Sequence, residues 1–240
     1  MTWKGNAVIR KQMVLWVLLA GATLCYAEGD GPADPDPNRF AKDIASFAAW
    51  DSKNAVPAEP ILFVGSSSIR MWRTHESFPD LPVINRGFGG SHISDVIHFA
   101  ERIVLPYAPK LIVFYAGDND VAGGKSPRRV LADYQRFVRL VHARLPRTPI
   151  VFIAIKPSGR RWSLWREMDK ANDLIRDFSR KDERLFFADL ARPLLTSAGT
   201  PDNGLFLKDQ LHLNPKGYAV WTRALRPVMR QALEHTKQAS

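Results

Sequence analysis

Four short blocks in this 240-residue chain carry side chains suited to acyl transfer. They are Gly65-Ser66-Ser67-Ser68, Asn85-Arg86-Gly87-Phe88-Gly89-Gly90, Gly117-Asp118-Asn119-Asp120 and Asp209-Gln210-Leu211-His212. A serine hydroxyl is a poor nucleophile until a base takes its proton and a third group orients that base. Ser67 supplies the hydroxyl and His212 an imidazole of suitable pKa. Asp209, three residues before His212, can accept the imidazole Nδ1–H, fix the tautomer and stabilise the imidazolium. The developing oxyanion needs hydrogen-bond donors, and the amides of Ser67 and Gly90 with the side-chain amide of Asn119 are the candidates. Each piece alone has a plainer reading. A serine-rich turn, glycines in tight backbone, an Asx turn at Asn119 and a loop cap at Asp209 are all common. The specific signal is the joint order of the four.

Hydrophobic patterning places these blocks. Short apolar runs at Ile61–Val64, Pro82–Asn85, Leu111–Tyr115, Ile150–Ile155 and Leu185–Asp189 read as buried strands. Amphipathic segments of helical length lie between them, at about Ile93–Leu105, Pro127–Leu145 and Ser163–Lys181. A helix over Arg39–Asp51, with Phe40, Ile44, Phe47 and Ala48 on one face, precedes the first strand. Asn214-Pro215 reads as an N-cap with proline in the first turn, opening a last helix from about Lys216 to His235. Strands alternating with helices predict an α/β fold, a parallel sheet of about five strands in a three-layer α/β/α sandwich. Sites in such sheets form at the carboxyl ends of the strands. Three of the four blocks follow predicted strands, and the fourth precedes the last helix.

The N-terminus reads as an address. Lys4, Arg10 and Lys11 precede the apolar run Met13–Ala20, and small residues lead to Ala27, so residues 1–27 are expected to be a signal peptide cleaved after Ala27. The apolar run is short of the ~20 residues that span a bilayer, so a retained anchor ranks lower. Export to the periplasm or the extracellular space is the expected localisation, with no stable membrane insertion after cleavage. Cleavage would remove three of the ten net positive charges and the single cysteine, Cys25. Residues 28–38, rich in Pro, Gly and Asp, are expected to be a flexible spacer. Residues 39–240 are expected to form a single domain.

On these four blocks the chain resembles the SGNH/GDSL hydrolase superfamily, over nearly all of residues 39–235. Ile61-Leu-Phe-Val-Gly-Ser-Ser-Ser-Ile-Arg70 stands where the family has Gly-Asp-Ser, with Ser66 at the aspartate position. Val83-Ile-Asn-Arg-Gly-Phe-Gly-Gly90 is the second block. Gly117-Asp-Asn-Asp120 matches Gly-x-Asn-Asp, and Asp209-Gln-Leu-His212 matches Asp-x-x-His. The resemblance implies a flavodoxin-like sandwich, Ser67 as nucleophile, Asp209 and His212 completing the triad, and Gly90, Asn119 and the Ser67 amide as oxyanion donors. It implies no metal and no cofactor. Ser67 keeps the register of the family serine, with Ser66 and Ser68 as the alternatives.

Other features weigh less. Gly123-Gly-Lys-Ser126 imitates the end of a phosphate loop, but Asn119 occupies the position of its first glycine. No Gly-x-Ser-x-Gly and no His-Glu-x-x-His occurs. Trp72 and Phe88 follow the first two blocks and either line a substrate pocket or pack inside. Lys156, Arg160, Arg161, Trp162 and Trp165 follow the fourth strand and suit a sugar or lipid headgroup as well as a solvated helix start. The expected function is a serine esterase acting on small-molecule, carbohydrate or lipid esters, with short acyl or acetyl groups favoured. A lysophospholipase or thioesterase of the same mechanism is the alternative. From another class, the basic charge, with Arg70, Arg73, Arg128, Arg129, Arg136 and Arg139, suggests a non-catalytic binder of anionic polymers. No nucleic-acid reading motif supports nucleic acid as its partner.

Overall fold

The structure, a computed structural model, describes Met1 and residues 32–238. The expected signal peptide, Met1 apart, and the first residues of the expected spacer lie outside the described residues. In chain order the strands are β1 (Ile61–Gly65), β2 (Val83–Gly87), β3 (Leu111–Tyr115), β4 (Ile150–Ile153) and β5 (Leu185–Ala188). The helices are α1 (Ala41–Asp51), α2 (Ser67–Arg70), α3 (Thr74–Ser77), α4 (Ile93–Ile103), α5 (Asp118–Ala122), α6 (Pro127–Arg144), α7 (Trp165–Ser179) and α8 (Pro215–Gln238). All strand pairs are parallel, in the order β2-β1-β3-β4-β5. That is the flavodoxin-like doubly wound order, with its switch point between β1 and β3.

The three inner strands β1, β3 and β4 are continuous runs because both of their faces are buried. Side chains alternate between the two faces along each strand. Leu62, Val64, Ile112, Phe114, Ile150 and Phe152 join the core under α1, α4, α6 and α7. Ile61, Phe63, Val113, Tyr115, Val151 and Ile153 join the core under α8, with Trp72 and Phe78. The sandwich therefore has three layers, as its sequence pattern predicts.

The segment before α1 is fastened to the body where the structure describes it. Asp34 pairs with Lys125 at 2.8 Å and with Arg129 at 3.0 Å, so the described part of the expected spacer is tied down. Lys125 is itself buried, and it also reaches Asp120 at 3.0 Å and Asp133 at 2.8 Å. The false phosphate loop thus uses its lysine for internal pairing. Phe40, just before α1, and Ile44 within it are buried while Ala48 is exposed, so the expected apolar face is narrower than its spacing suggests.

Candidate active site

The strand ends bring three of the four blocks to one edge of the sheet. Gly65 closes β1 at φ +138°, and a Cβ there would lie 1.8 Å from the Tyr115 carbonyl oxygen. Only glycine permits that approach, and it lets the chain turn sharply into α2 with Ser67 as its first residue. The Ser66 amide donates to the Tyr115 carbonyl at 2.9 Å, which fastens this turn to the end of β3.

The fourth block arrives from the far end of the chain. Asn214 caps α8, its Oδ1 accepting from the amides of Lys216 at 2.9 Å and Gly217 at 3.1 Å. Just before that cap, Asp209 Oδ1 accepts from the amides of Leu211 at 2.9 Å and His212 at 3.0 Å. Asp209 Oδ2 lies 2.6 Å from His212 Nδ1. Against desolvation, the bonds from the His212 ring and from these two amides hold the Asp209 carboxyl at about 2. A carboxylate only accepts, so the Nδ1 proton points at Asp209 and Nε2 is left to accept. Ser67 Oγ lies 3.0 Å from that Nε2. The side chains of His212 and Asp209 are 21% and 45% exposed, so solvent reaches this relay directly.

The three serines separate cleanly. Ser67 Oγ meets His212, whereas the Oγ atoms of Ser66 and Ser68 are buried with no hydrogen-bond partner.

Gly90 and Asn119 meet in the neighbouring loop. Gly90 is exposed at φ +82°, with open space on the side where a Cβ would stand. Asn119 Nδ2 donates to the carbonyl of Ser91, the next residue, at 3.0 Å. Asp120 is fully buried and accepts from the Ile93 amide at 3.1 Å, which fastens the start of α4 to α5. Burial pushes its carboxyl up, to about 6, although Lys125 and the Ile93 amide work against that.

The segment after β4 behaves differently from its sequence reading. Lys156 is buried and pairs with Asp118 at 3.3 Å, so it is not a surface base. Burial pushes the Lys156 ammonium below its ordinary value despite Asp118. Arg161 pairs with Asp118 at 3.1 Å and donates to Asn119 Oδ1 at 2.9 Å. Trp162 and Trp165 stack with ring centroids 6.2 Å apart, and Trp162 is partly exposed. Phe88 is fully buried against Phe40 and Phe99, so it packs inside rather than lining a pocket. Trp72 is buried among Phe63, Phe78, Tyr218 and Trp221, with one edge in the wall of a groove. That groove, of about 770 Å³, lies between α3 and α8, with Met71 and Leu213 in its wall and neither Ser67 nor His212 lining it. Several arginines invoked for polymer binding are already paired. Arg73 pairs with Glu76, and Arg129 and Arg136 pair with Asp133.

Two features of this site escape the sequence. One is the attachment of Arg161 to Asn119, which joins residues 42 positions apart. The other is the fate of Asp95, which stands three residues before His98 in the same Asp-x-x-His spacing as Asp209 and His212. There the carboxylate is taken by Arg39 at 2.5 Å and by the His92 amide at 2.8 Å, and it serves the start of α4.

Comparison with known proteins shows the family and the fold. The model of the GDSL-like lipase/acylhydrolase family matches residues 65–220. Platelet-activating factor acetylhydrolase IB subunit alpha2 of Rattus norvegicus is 26% identical over 226 residues, covering 88% of this chain and 96% of the relative. A GDSL-like lipase from Bacteroides thetaiotaomicron shares the fold at a TM-score of 0.63 and 21% identity, covering 83% of this chain and 98% of the other. A variant of an acetylxylan esterase from Geobacillus stearothermophilus does so at 0.58 and 15% identity, covering 72% and 95%.

Proposed function

The chain belongs to the GDSL-like lipase/acylhydrolase family and is a serine ester hydrolase, and we propose that it is an exported esterase cleaving short-chain or acetyl esters through Ser67, His212 and Asp209. The observation that carries this reading is the unbroken relay from Asp209 through the His212 ring to Ser67 Oγ. His212 Nε2 takes the Ser67 proton as Oγ attacks the ester carbonyl, and Asp209 stabilises the imidazolium that forms. Negative charge collects on the former carbonyl oxygen and is met by the amides of Ser67 and Gly90 and by Asn119 Nδ2. Collapse breaks the ester bond, and His212 hands its proton to the leaving alcohol. Water, deprotonated by the same ring, then attacks the acyl-Ser67 carbonyl; the acyl–Oγ bond breaks, the ring returns its proton to Ser67 Oγ, and the acid leaves.

The acetyl preference is supported by the 26% identical relative, an acetylhydrolase by name. Export is supported by the basic and apolar start of the chain. The alcohol side of the substrate is a small molecule or a carbohydrate. Purified protein should hydrolyse a chromogenic acetyl ester and lose that activity as Ser67→Ala. Equal rates in the two proteins would remove Ser67 from the reaction. A rate that climbs steadily with acyl length, from acetyl to long chains, would overturn the short-chain preference.

A further inference from the structure

Asn119 is gripped at both ends of its side-chain amide. Nδ2 donates to the Ser91 carbonyl at 3.0 Å, and Oδ1 accepts from Arg161 Nη2 at 2.9 Å. A carbonyl can only accept and a guanidinium can only donate, so both partners demand the same orientation of the amide. In that orientation the second Nδ2 hydrogen is the one offered to an oxyanion. Turned by half a rotation, the amide would aim the Oδ1 lone pairs at developing negative charge instead.

Arg161 is well placed to enforce this. Its guanidinium lies 3.1 Å from Asp118, whose side chain is buried and also holds Lys156 at 3.3 Å. Burial alone would raise the Asp118 carboxyl, yet the charges of Lys156 and Arg161 hold it below its ordinary range, so it anchors both as an anion. Two cations against one carboxylate leave net positive charge behind Asn119. The neighbouring amide of Arg160 donates to the Gln210 carbonyl at 2.9 Å, inside the Asp209–His212 block. The segment after β4 therefore touches both the oxyanion side and the base side of the site.

We propose that Arg161 is a positioning residue: it sets which end of the Asn119 amide faces the reacting carbonyl and polarises that amide as a donor. The inference rests on the esterase reading above. Acting only through Asn119, Arg161 should affect the transition state and leave ground-state binding alone.

The test is a double-mutant cycle on the chromogenic acetyl ester, with Ser67→Ala as the zero. Asn119→Ala should lower kcat by about 10²–10³-fold, the usual effect of losing one oxyanion donor. Arg161→Met should lower kcat by roughly 10- to 100-fold, part of that donor's effect, with KM little changed. The double variant should be no slower than Asn119→Ala alone, because the two side chains act as one unit. Arg161→Lys, which can still donate to Oδ1, should keep several-fold more kcat than Arg161→Met and serves as the second arm of the cycle if the Met variant does not fold. Losses that multiply in the double variant, or a loss carried by KM with kcat intact, would overturn the proposal while leaving the esterase reading in place. A wild-type protein as inactive as Ser67→Ala would instead overturn that reading.

Discussion

The phenolic hydroxyl of Tyr218 donates to the carbonyl of Ser68 at 2.9 Å, across 150 residues of sequence. Through this bond α8, which follows directly on the His212 loop, is fixed to the turn that carries Ser67. Tyr218→Phe removes the bond and keeps the ring stacked on Trp72. We expect a loss of about 1 kcal/mol in stability, the net value of one hydrogen bond. We also expect a several-fold fall in kcat, larger than the change in KM, because the Ser67–His212 distance is no longer held. Denaturant unfolding and steady-state kinetics on the same sample measure both. An unchanged kcat would mean that packing alone sets the Ser67–His212 distance.

The serine turn gives a sharper contrast. Ser67→Ala should lower kcat on the order of 10⁴-fold or more, as removal of a nucleophile from a catalytic triad does. Ser66→Ala and Ser68→Ala should stay within a few-fold of wild type, since it is the Ser67 hydroxyl that meets the His212 ring. Acylation by a serine-reactive phosphonate, read by mass spectrometry, should mark Ser67 alone. Label on Ser66 or Ser68 would reassign the nucleophile.

Asp209 should titrate at about 2 in the wild type. Its depressed folded value means that its contribution is present above the ordinary 3.8 and is lost as pH falls through about 2. Acid inactivation at mildly acidic pH therefore does not come from this carboxyl. In His212→Ala the ring's bond, the largest lowering cause, disappears while the two amide bonds remain, so the midpoint should move part of the way up towards 3.8, which carbon-detected NMR can follow. Asp209→Asn should lower kcat on the order of 10³–10⁴-fold by upsetting the tautomer of His212. A wild-type midpoint near 4 would show that the Asp209–His212 bond is not formed in solution.

Lys125 is the one cation that Asp34, Asp120 and Asp133 share among the described residues nearest to it, although Arg129 also reaches two of them. Lys125→Met leaves buried carboxylates poorly compensated and should cost about 3–5 kcal/mol near neutral pH. The sign of its pH dependence is fixed. Lys125 lowers both Asp34 and Asp120, so its loss raises their folded values. The folded variant then binds protons that the unfolded chain does not, and its stability falls as pH rises. The gap from wild type should be widest at neutral pH and narrow towards pH 5, as urea unfolding at a series of pH values would reveal. A gap that does not vary with pH would mean that the cluster is held by packing.

The middle of the sheet was legible because β1, β3 and β4 are buried on both faces and therefore unmixed in composition. Leu111–Tyr115 matches its expected bounds, and the long helices fall within a few residues of theirs. What the sequence does not display is short or non-local. The helices α2, α3 and α5 have four or five residues, too few for a periodic pattern, and they form because strand ends and loops dictate them. Residue type and spacing singled out Ser67, Asp209 and His212. Spacing alone could not tell Asp209–His212 from Asp95–His98, because the difference is Arg39, which takes the second carboxylate. Phe88 and Lys156 were ambiguous for a related reason. An aromatic ring or a lysine next to a motif can face inward or outward, and only the partner across the chain decides.

The wetness of the His212 ring has a practical corollary. Among the described residues the ring and its carboxylate stand open to bulk solvent, so the water that hydrolysis consumes can come straight from it. Such a shelf can work on an ester that juts from something large and immobile, since the bulk of the carrier never has to enter the protein.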